Sequence, residues 1–527
     1  MIKRRTLFAG AASFIGGAPG ARAQPPRVFR FVPAADAAVL DPIWTTAYAT
    51  RNHAYLVFDT LYGQTGLESG YETMPQMAAG HSLEDNGLMW RIRLRGGLVF
   101  HDGEPVLARD CVASIRRWGA RDALGQALLR RTSELSAPDD KTILFRLEKP
   151  FPLLPHALGK QASLMCAIMP ERLAKTGPFE QAPAIIGSGP FRMLEGERVP
   201  GAQVVYERFA QYQPRPDGLP DGTAGPKVAY FDRIEWKIIS DPASAAAALQ
   251  AGEVDGVELP GSDLVPMLRR DPRVRLEPIY DAGTLALLRP NHLQPPFSNP
   301  AVRRAVLGAI DQRDVMAAAG STEAGSWQPA TGFFPPGSPM SGAAAPMPAA
   351  RDPALVRRAL ETAGYQGEAV TLLNPANYPP ITQMTEVVAD ALRKAGMTVD
   401  MQDLDANALI RRRASRNPPT QGGWNLFCTA VSATDLADPG ISLPLRGNGD
   451  QAWPGWPRSE ALESLRDQWL DAPDLGTQRR LAAQIELEAA QDVPYYPLGL
   501  YYSQSAYRAD LQGILRGFPI FWNVRRR

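Results

Sequence analysis

The histidines, His53, His81, His101, His156 and His292, stand apart from one another along the chain. None forms a His-Glu-x-x-His pair that would hold zinc on one helix face. Cys111, Cys166 and Cys428 have neither metal-ligand spacing nor the pattern of a disulfide framework. There is no Gly-x-Ser-x-Gly elbow to hold a nucleophile, and no Walker-type phosphate loop. Gly447-Asn448-Gly449-Asp450-Gln451-Ala452 matches a loose dinucleotide pattern but lacks the strand before it and the helix after it. The sequence therefore reads as a non-enzyme with no cofactor and no metal. A secreted hydrolase, its acid and base drawn from distant residues, is the remote alternative.

Aromatic residues offer recognition instead. Trp424 follows Gly422-Gly423, and Trp453-Pro454-Gly455-Trp456-Pro457 sets two indoles in one Pro/Gly loop. Such rings stack on a ligand or cover apolar surface. Trp424 either walls a site or is core of a strand over residues 424–429. Trp424, Trp453 and Trp456 are carried forward as ligand-binding candidates.

The elements that must position these residues are legible in part. Trp90, Ile92 and Leu94 alternate with Arg91, Arg93 and Arg95, the pattern of a half-buried strand. Asp102-Gly103 is a turn, and a helix is expected over residues 108–118. Asp241-Pro242, Asn299-Pro300 and Asp352-Pro353 each pair a capping side chain with proline at the first helical position. Residues 52–62 and 382–394 read as further helices. Helices alternate with strands near residues 254–259, 371–373 and 398–401, which predicts α/β layers on mixed sheets. Residues 213–226 and 329–348 are rich in Pro, Gly and Ala and read as long surface connections.

Lys and Arg number 56 against 55 Asp and Glu, a net charge of +1. No basic field is available for nucleic acid or an anionic membrane. The first residues are a targeting signal: Lys3, Arg4 and Arg5, a short apolar run from Leu7 to Ala18, then the small-x-small site Ala21-Arg22-Ala23. The paired arginines resemble a twin-arginine signal, and a general-secretion signal that holds two arginines is the other reading. Cleavage after Ala23 leaves a periplasmic chain starting at Gln24.

One family resemblance runs through nearly the whole mature chain. Met74-Pro75-Gln76-Met77-Ala78-Ala79, Trp90 to Arg95, Val99-Phe100-His101-Asp102-Gly103-Glu104-Pro105 and Ala108-Arg109-Asp110 follow in one order. Ile186-Gly187-Ser188-Gly189-Pro190-Phe191, Gly252-Glu253-Val254-Asp255 and Ala363-Gly364-Tyr365 come later, then Pro494 and Pro497. Together they resemble family 5 solute-binding proteins of peptide, nickel and related ABC importers. The resemblance implies a two-lobed periplasmic-binding-protein fold, class II-like and of type C, with mixed sheets, an extra subdomain and two hinge strands. On that pattern residues 24–285 form lobe I with a subdomain inserted at about 60–185, residues 286–479 form lobe II, and residues 480–527 return to lobe I. The crossings are placed near residues 281–288 and 493–500.

The resemblance also implies the partners: a small-molecule ligand enclosed between the lobes, and an ABC permease in the inner membrane. It implies a monomer. In peptide-binding members an Asp just upstream of an Asp-Pro pairs with the ligand's α-ammonium. Asp435, upstream of Asp438-Pro439, matches that position. The Trp usual three residues earlier is replaced by Ser432. A peptide is the first reading of the cargo. An oligosaccharide, a metal chelate or another small metabolite is the alternative.

Overall fold

Period-two burial places the strands as their side chains demand. In Met89–Leu94, Trp90, Ile92 and Leu94 are buried while Arg93 is exposed. This strand lies in a four-stranded antiparallel sheet ordered Ala78–Glu84, Met89–Leu94, Thr142–Leu147, Thr132–Ser136. Helix Ala108–Gly119 packs on the sheet through Cys111, Ile115 and Trp118. Asp110 starts this helix by accepting the Leu107 N–H at 2.8 Å. The computed structural model describes residues 26–320, 323–342, 351–376, 378 and 380–527. The expected targeting segment, residues 1–23, lies outside the described residues, as do residues 343–348 of the second Pro/Gly/Ala-rich connection.

Two larger mixed sheets form the two lobes. The first has seven strands, in spatial order Val274–Glu277, Ser505–Arg508, Gly256–Val257, Val28–Val32, Arg233–Lys237, Gln203–Arg208 and Phe191–Met193. The second has six: Trp327–Gln328, Tyr496–Tyr501, Thr284–Pro290, Leu426–Ser432, Ala369–Pro375 and Thr398–Leu404. Caps fall where the X-Pro pairs predict them. Asp241, Asn299 and Asp352 each accept a backbone N–H in the first turn of helices Pro242–Ala251, Pro300–Val306 and Pro353–Thr362. Gly187 marks a close approach: a Cβ there would lie 2.0 Å from the Val57 carbonyl oxygen.

The lobe boundary differs from the sequence expectation. Residues 480–501 belong with the second lobe, not the first. Helix Leu475–Asp492 packs on Glu460–Leu470 and on Pro300–Val306. Strand Tyr496–Tyr501 then pairs with Thr284–Pro290 in the second sheet. The chain re-enters the first sheet only at Ser505, so the crossings are residues 278–283 and 502–504. An apolar strand motif such as Tyr496-Pro497-Leu498 does not say which of two sheets it joins. The buried Arg303, bonded to the Asp492 carbonyl at 2.7 Å, fixes that choice through tertiary contact.

Strand Thr284–Pro290 is buried on both faces. Ala286 and Leu288 face the second lobe's own helices, in one apolar cluster with Val302 and Val388. Leu285 and Leu287 face the other way, in a cluster shared with the four-stranded subdomain. That cluster joins Leu124 and Leu128 of helix Ala123–Arg130 to Leu436, Trp469 and Leu470 of the second lobe. The subdomain therefore closes one flank of the groove between the lobes.

Candidate functional site: the cleft between the lobes

Helix Tyr48–Val57 carries an uncommon run, Arg51-Asn52-His53, in which all three side chains are buried. On its first turn the Tyr48 hydroxyl accepts the Ser432 N–H of the second lobe at 2.7 Å. Burial, and then the Asp435 carboxylate, push this hydroxyl's pKa well up, against the opposing pull of the Arg51 guanidinium.

Ser432 ends its strand and opens the short helical turn Ala433–Leu436, which presents Asp435 at the cleft. The half-buried Asp435 accepts two hydrogen bonds from the first lobe: the Ser163 N–H at 3.1 Å and the Ser163 hydroxyl at 3.3 Å. Both donors are uncharged. The Ser432 hydroxyl is held by Thr434 at 2.7 Å. Three residues on, Asp438 Oδ1 accepts the Gly440 and Ile441 N–H groups, and its Oδ2 meets His156 Nε2 of the first lobe at 3.1 Å. The acidic turn is thus tied to the opposite lobe at Tyr48, His156 and Ser163.

Arg51 lies beside this turn in the first lobe. Its guanidinium carbon is 4.6 Å from the centre of the Tyr48 ring and 4.5 Å from that of Phe518. Nε and Nη2 both donate to the Asn52 amide oxygen, at 3.2 and 3.1 Å. Asn52 donates in turn to Glu258 at 3.5 Å. Glu258 also accepts the Ala34 N–H at 2.7 Å and the Tyr280 hydroxyl. Burial pushes the Glu258 carboxyl up, and the Tyr280 hydrogen bond opposes it. Tyr280 lies in the first crossing, and the Glu258 carbonyl accepts the Ser505 hydroxyl just after the second, at 2.6 Å. Glu258 therefore touches the first hinge segment and the strand that follows the second.

Ser432 and Asp435 come together at the cleft. The three tryptophans do not join them. Trp424 is fully buried in a second-lobe cluster with Leu373, Leu409, Phe427 and Trp456. Its Nε1 donates to the Arg413 carbonyl at 3.1 Å, and its ring centre lies 4.9 Å from that of Phe427. The Trp453–Trp456 loop roofs the buried Arg289, whose guanidinium donates to the carbonyls of Pro444, Trp453, Pro454 and Pro494. Burial pushes the Arg289 pKa down to about 9. Trp456 also edges a separate cavity of about 280 Å³ with His292, Ser298 and Asp450. In this arrangement the indoles cover apolar surface and backbone carbonyls rather than meeting Asp435.

Residues the sequence did not single out are Tyr48, Arg51, Asn52, His156, Ser163 and Glu258. The one available signal was the polar run Arg51-Asn52-His53 beside Tyr55-Leu56-Val57. All three cysteines are buried free thiols, and burial pushes the Cys428 thiol up to about 12.

Residues 72–453 match the family model described as bacterial extracellular solute-binding proteins, family 5 Middle. The probable peptide ABC transporter periplasmic-binding protein y4tO of Sinorhizobium fredii is 35% identical, with 100% of this chain and 99% of the relative covered. Among solved structures, AgaA of A. tumefaciens R10, in complex with agropinic acid, superposes with a TM-score of 0.79 at 18% identity. It covers 95% of this chain and 99% of its own. DppA of Helicobacter pylori, in complex with the peptide STSA, superposes at 0.78 and 21% identity, covering 95% and 98%. Two lobes on mixed sheets, two crossings and a polar cleft between them agree with these matches, and the chain belongs to the family 5 bacterial extracellular solute-binding proteins.

Proposed function

We propose that this chain is the periplasmic receptor of an ABC importer, and that it encloses a peptide between its lobes with the peptide's α-ammonium on Asp435. The observation that carries the reading is the state of Asp435. A carboxylate has about four acceptor positions, and Ser163 fills two of them. What is left suits a cationic donor, and an ammonium in a half-buried cleft is screened less than in water.

The same contacts supply the switch. Asp435 belongs to one lobe and Ser163 to the other, so a ligand at Asp435 meets both lobes only when they are closed. Binding then shifts the population toward the closed form. An inner-membrane permease that reads the closed form separates loaded receptor from empty. Met1 to Ala23 serve as the export signal, and the exported chain acts as a monomer. Among the described residues no helix is long and apolar enough to cross a membrane.

Asp435→Asn keeps the shape of the side chain and removes its charge. The substitution is expected to weaken a peptide with a free amino terminus by about 2 kcal/mol or more. Titration calorimetry against that peptide and its N-acetylated form measures it. Equal affinity of wild type and variant for the free peptide rejects the role.

A further inference from the structure

Arg51 is unlike the other buried arginines. Arg117 pairs with Asp41 at 2.7 Å, and Arg303 with Asp492 at 2.9 Å. Arg289 and Arg466 are satisfied by backbone carbonyls. Arg51, only 3% exposed, shares one amide oxygen between two N–H groups. Its Nη1 has no partner among the described residues. The neighbouring carboxylate, Glu258, is held off by the intervening Asn52 amide and has donors of its own. A buried guanidinium without an anion is costly, and a planar anion repays it best.

Its position says where that anion comes from. Tyr48 and Arg51 lie three residues apart on one helix, and so on one face. The Tyr48 ring packs on the guanidinium, while its hydroxyl reaches Ser432 across the cleft. Asp435 and Arg51 act on that hydroxyl with opposite sign, yet do not pair with each other. The Asp435 carboxylate and the Arg51 guanidinium thus stand on opposite lobes, on either side of a tyrosine. We propose that Arg51 takes the free α-carboxylate of the cargo, restricting it to short peptides whose two charged ends both lie in the cleft. The inference rests on Asp435 as the ammonium site. It adds the second pole, supplied by the first lobe.

The experiment uses two pools of dipeptides and tripeptides with free amino termini, one with free carboxylates and one of C-terminal amides. Native mass spectrometry and calorimetry on the full mature chain read binding. Wild type is expected to favour the acids over the matching amides by about tenfold or more. Arg51→Gln should abolish that preference while keeping the requirement for a free amino terminus, and Arg51→Lys should restore part of it. Thermal melts establish that the variants fold. Should Arg51→Gln not fold, the acid-to-amide ratio of wild type still decides. Equal binding of acids and amides by wild type, with N-acetylated peptides rejected, overturns the role of Arg51 and leaves Asp435 standing. No binding from either pool, or equal binding of N-acetylated peptides, overturns both.

Discussion

The His101 ring is buried, with Nε2 3.0 Å from the Gly189 carbonyl and Nδ1 without a partner among the described residues. Protonating Nδ1 would bury a charged donor that has no acceptor. Burial accordingly pushes the His101 pKa down to about 4, and the deeper His53 down to about 3. The unfolded chain takes up its proton near pH 6.5, so the unfolded state binds more protons below that pH. Stability is fully present above about pH 6.5 and is lost as the pH falls toward 4, by roughly 2–3 kcal/mol for His101. His101→Gln keeps a donor for Gly189 and removes the titration. Urea unfolding at pH 7 and pH 4.5 should show a smaller acid loss in the variant than in wild type. An identical loss in both rejects the assignment. The Phe-His-Asp-Gly motif made His101 visible in the sequence, but its neutral state follows from burial in the fold, which outweighs the opposing pull of the Gly189 carbonyl. Asp435 was legible through its place before Asp438-Pro439. Arg51 was not, because a charged residue in a helix ordinarily belongs to its solvated face. The placement of the tryptophans was not legible either: a ring that stacks on a ligand and a ring that covers a buried arginine have the same sequence signature.

At the scale of elements, X-Pro caps and period-two strands could be read directly, since their causes are local. The helix expected at residues 52–62 instead spans Tyr48–Val57, and no Gly or Pro marks that end. It stops because the next residues are taken by distant partners. Asp59 pairs with Lys227 at 2.7 Å, and Tyr62–Gln64 forms a strand with Thr73–Pro75. Gly499 sets the register of the second sheet. Its φ is +119°, beside a register shift between Ala286 and Leu287. A Cβ there would sit 2.7 Å from Met316 Cγ. Gly499→Ala is therefore expected to destabilise the fold by about 1–3 kcal/mol through backbone strain and the clash together. Denaturant titration checks this, and an unchanged midpoint rejects it.

Across the whole molecule, several separate polar ties hold the lobes together. One is His156 to Asp438, and Arg131 of the subdomain meets Asp471 of the second lobe at 2.8 Å. His156→Ala removes the first without touching Asp435 or Arg51. A part-buried tie of this kind is worth about 1 kcal/mol, enough to move the empty receptor roughly fivefold toward the open form. Small-angle scattering should then show a larger radius of gyration without ligand and an unchanged one with it. Equal radii for the empty variant and empty wild type reject this. The two-lobed plan was legible from motifs spread along the chain. The lobe boundary was not, because it depends on which sheet a strand joins.

The two crossings carry a further consequence. Glu277 lies opposite Ser505 in the first sheet, and Thr284 lies opposite Tyr501 in the second. The points where the chain leaves and rejoins the first lobe are thus partners in one antiparallel ladder. Topologically, the second lobe is a graft at the tip of an ordinary hairpin. Cut out and replaced by a short turn, it would leave every strand of the seven-stranded sheet in place. The excised piece would carry its own six-stranded sheet, with its two ends side by side. The receptor is one fold held in the loop of another.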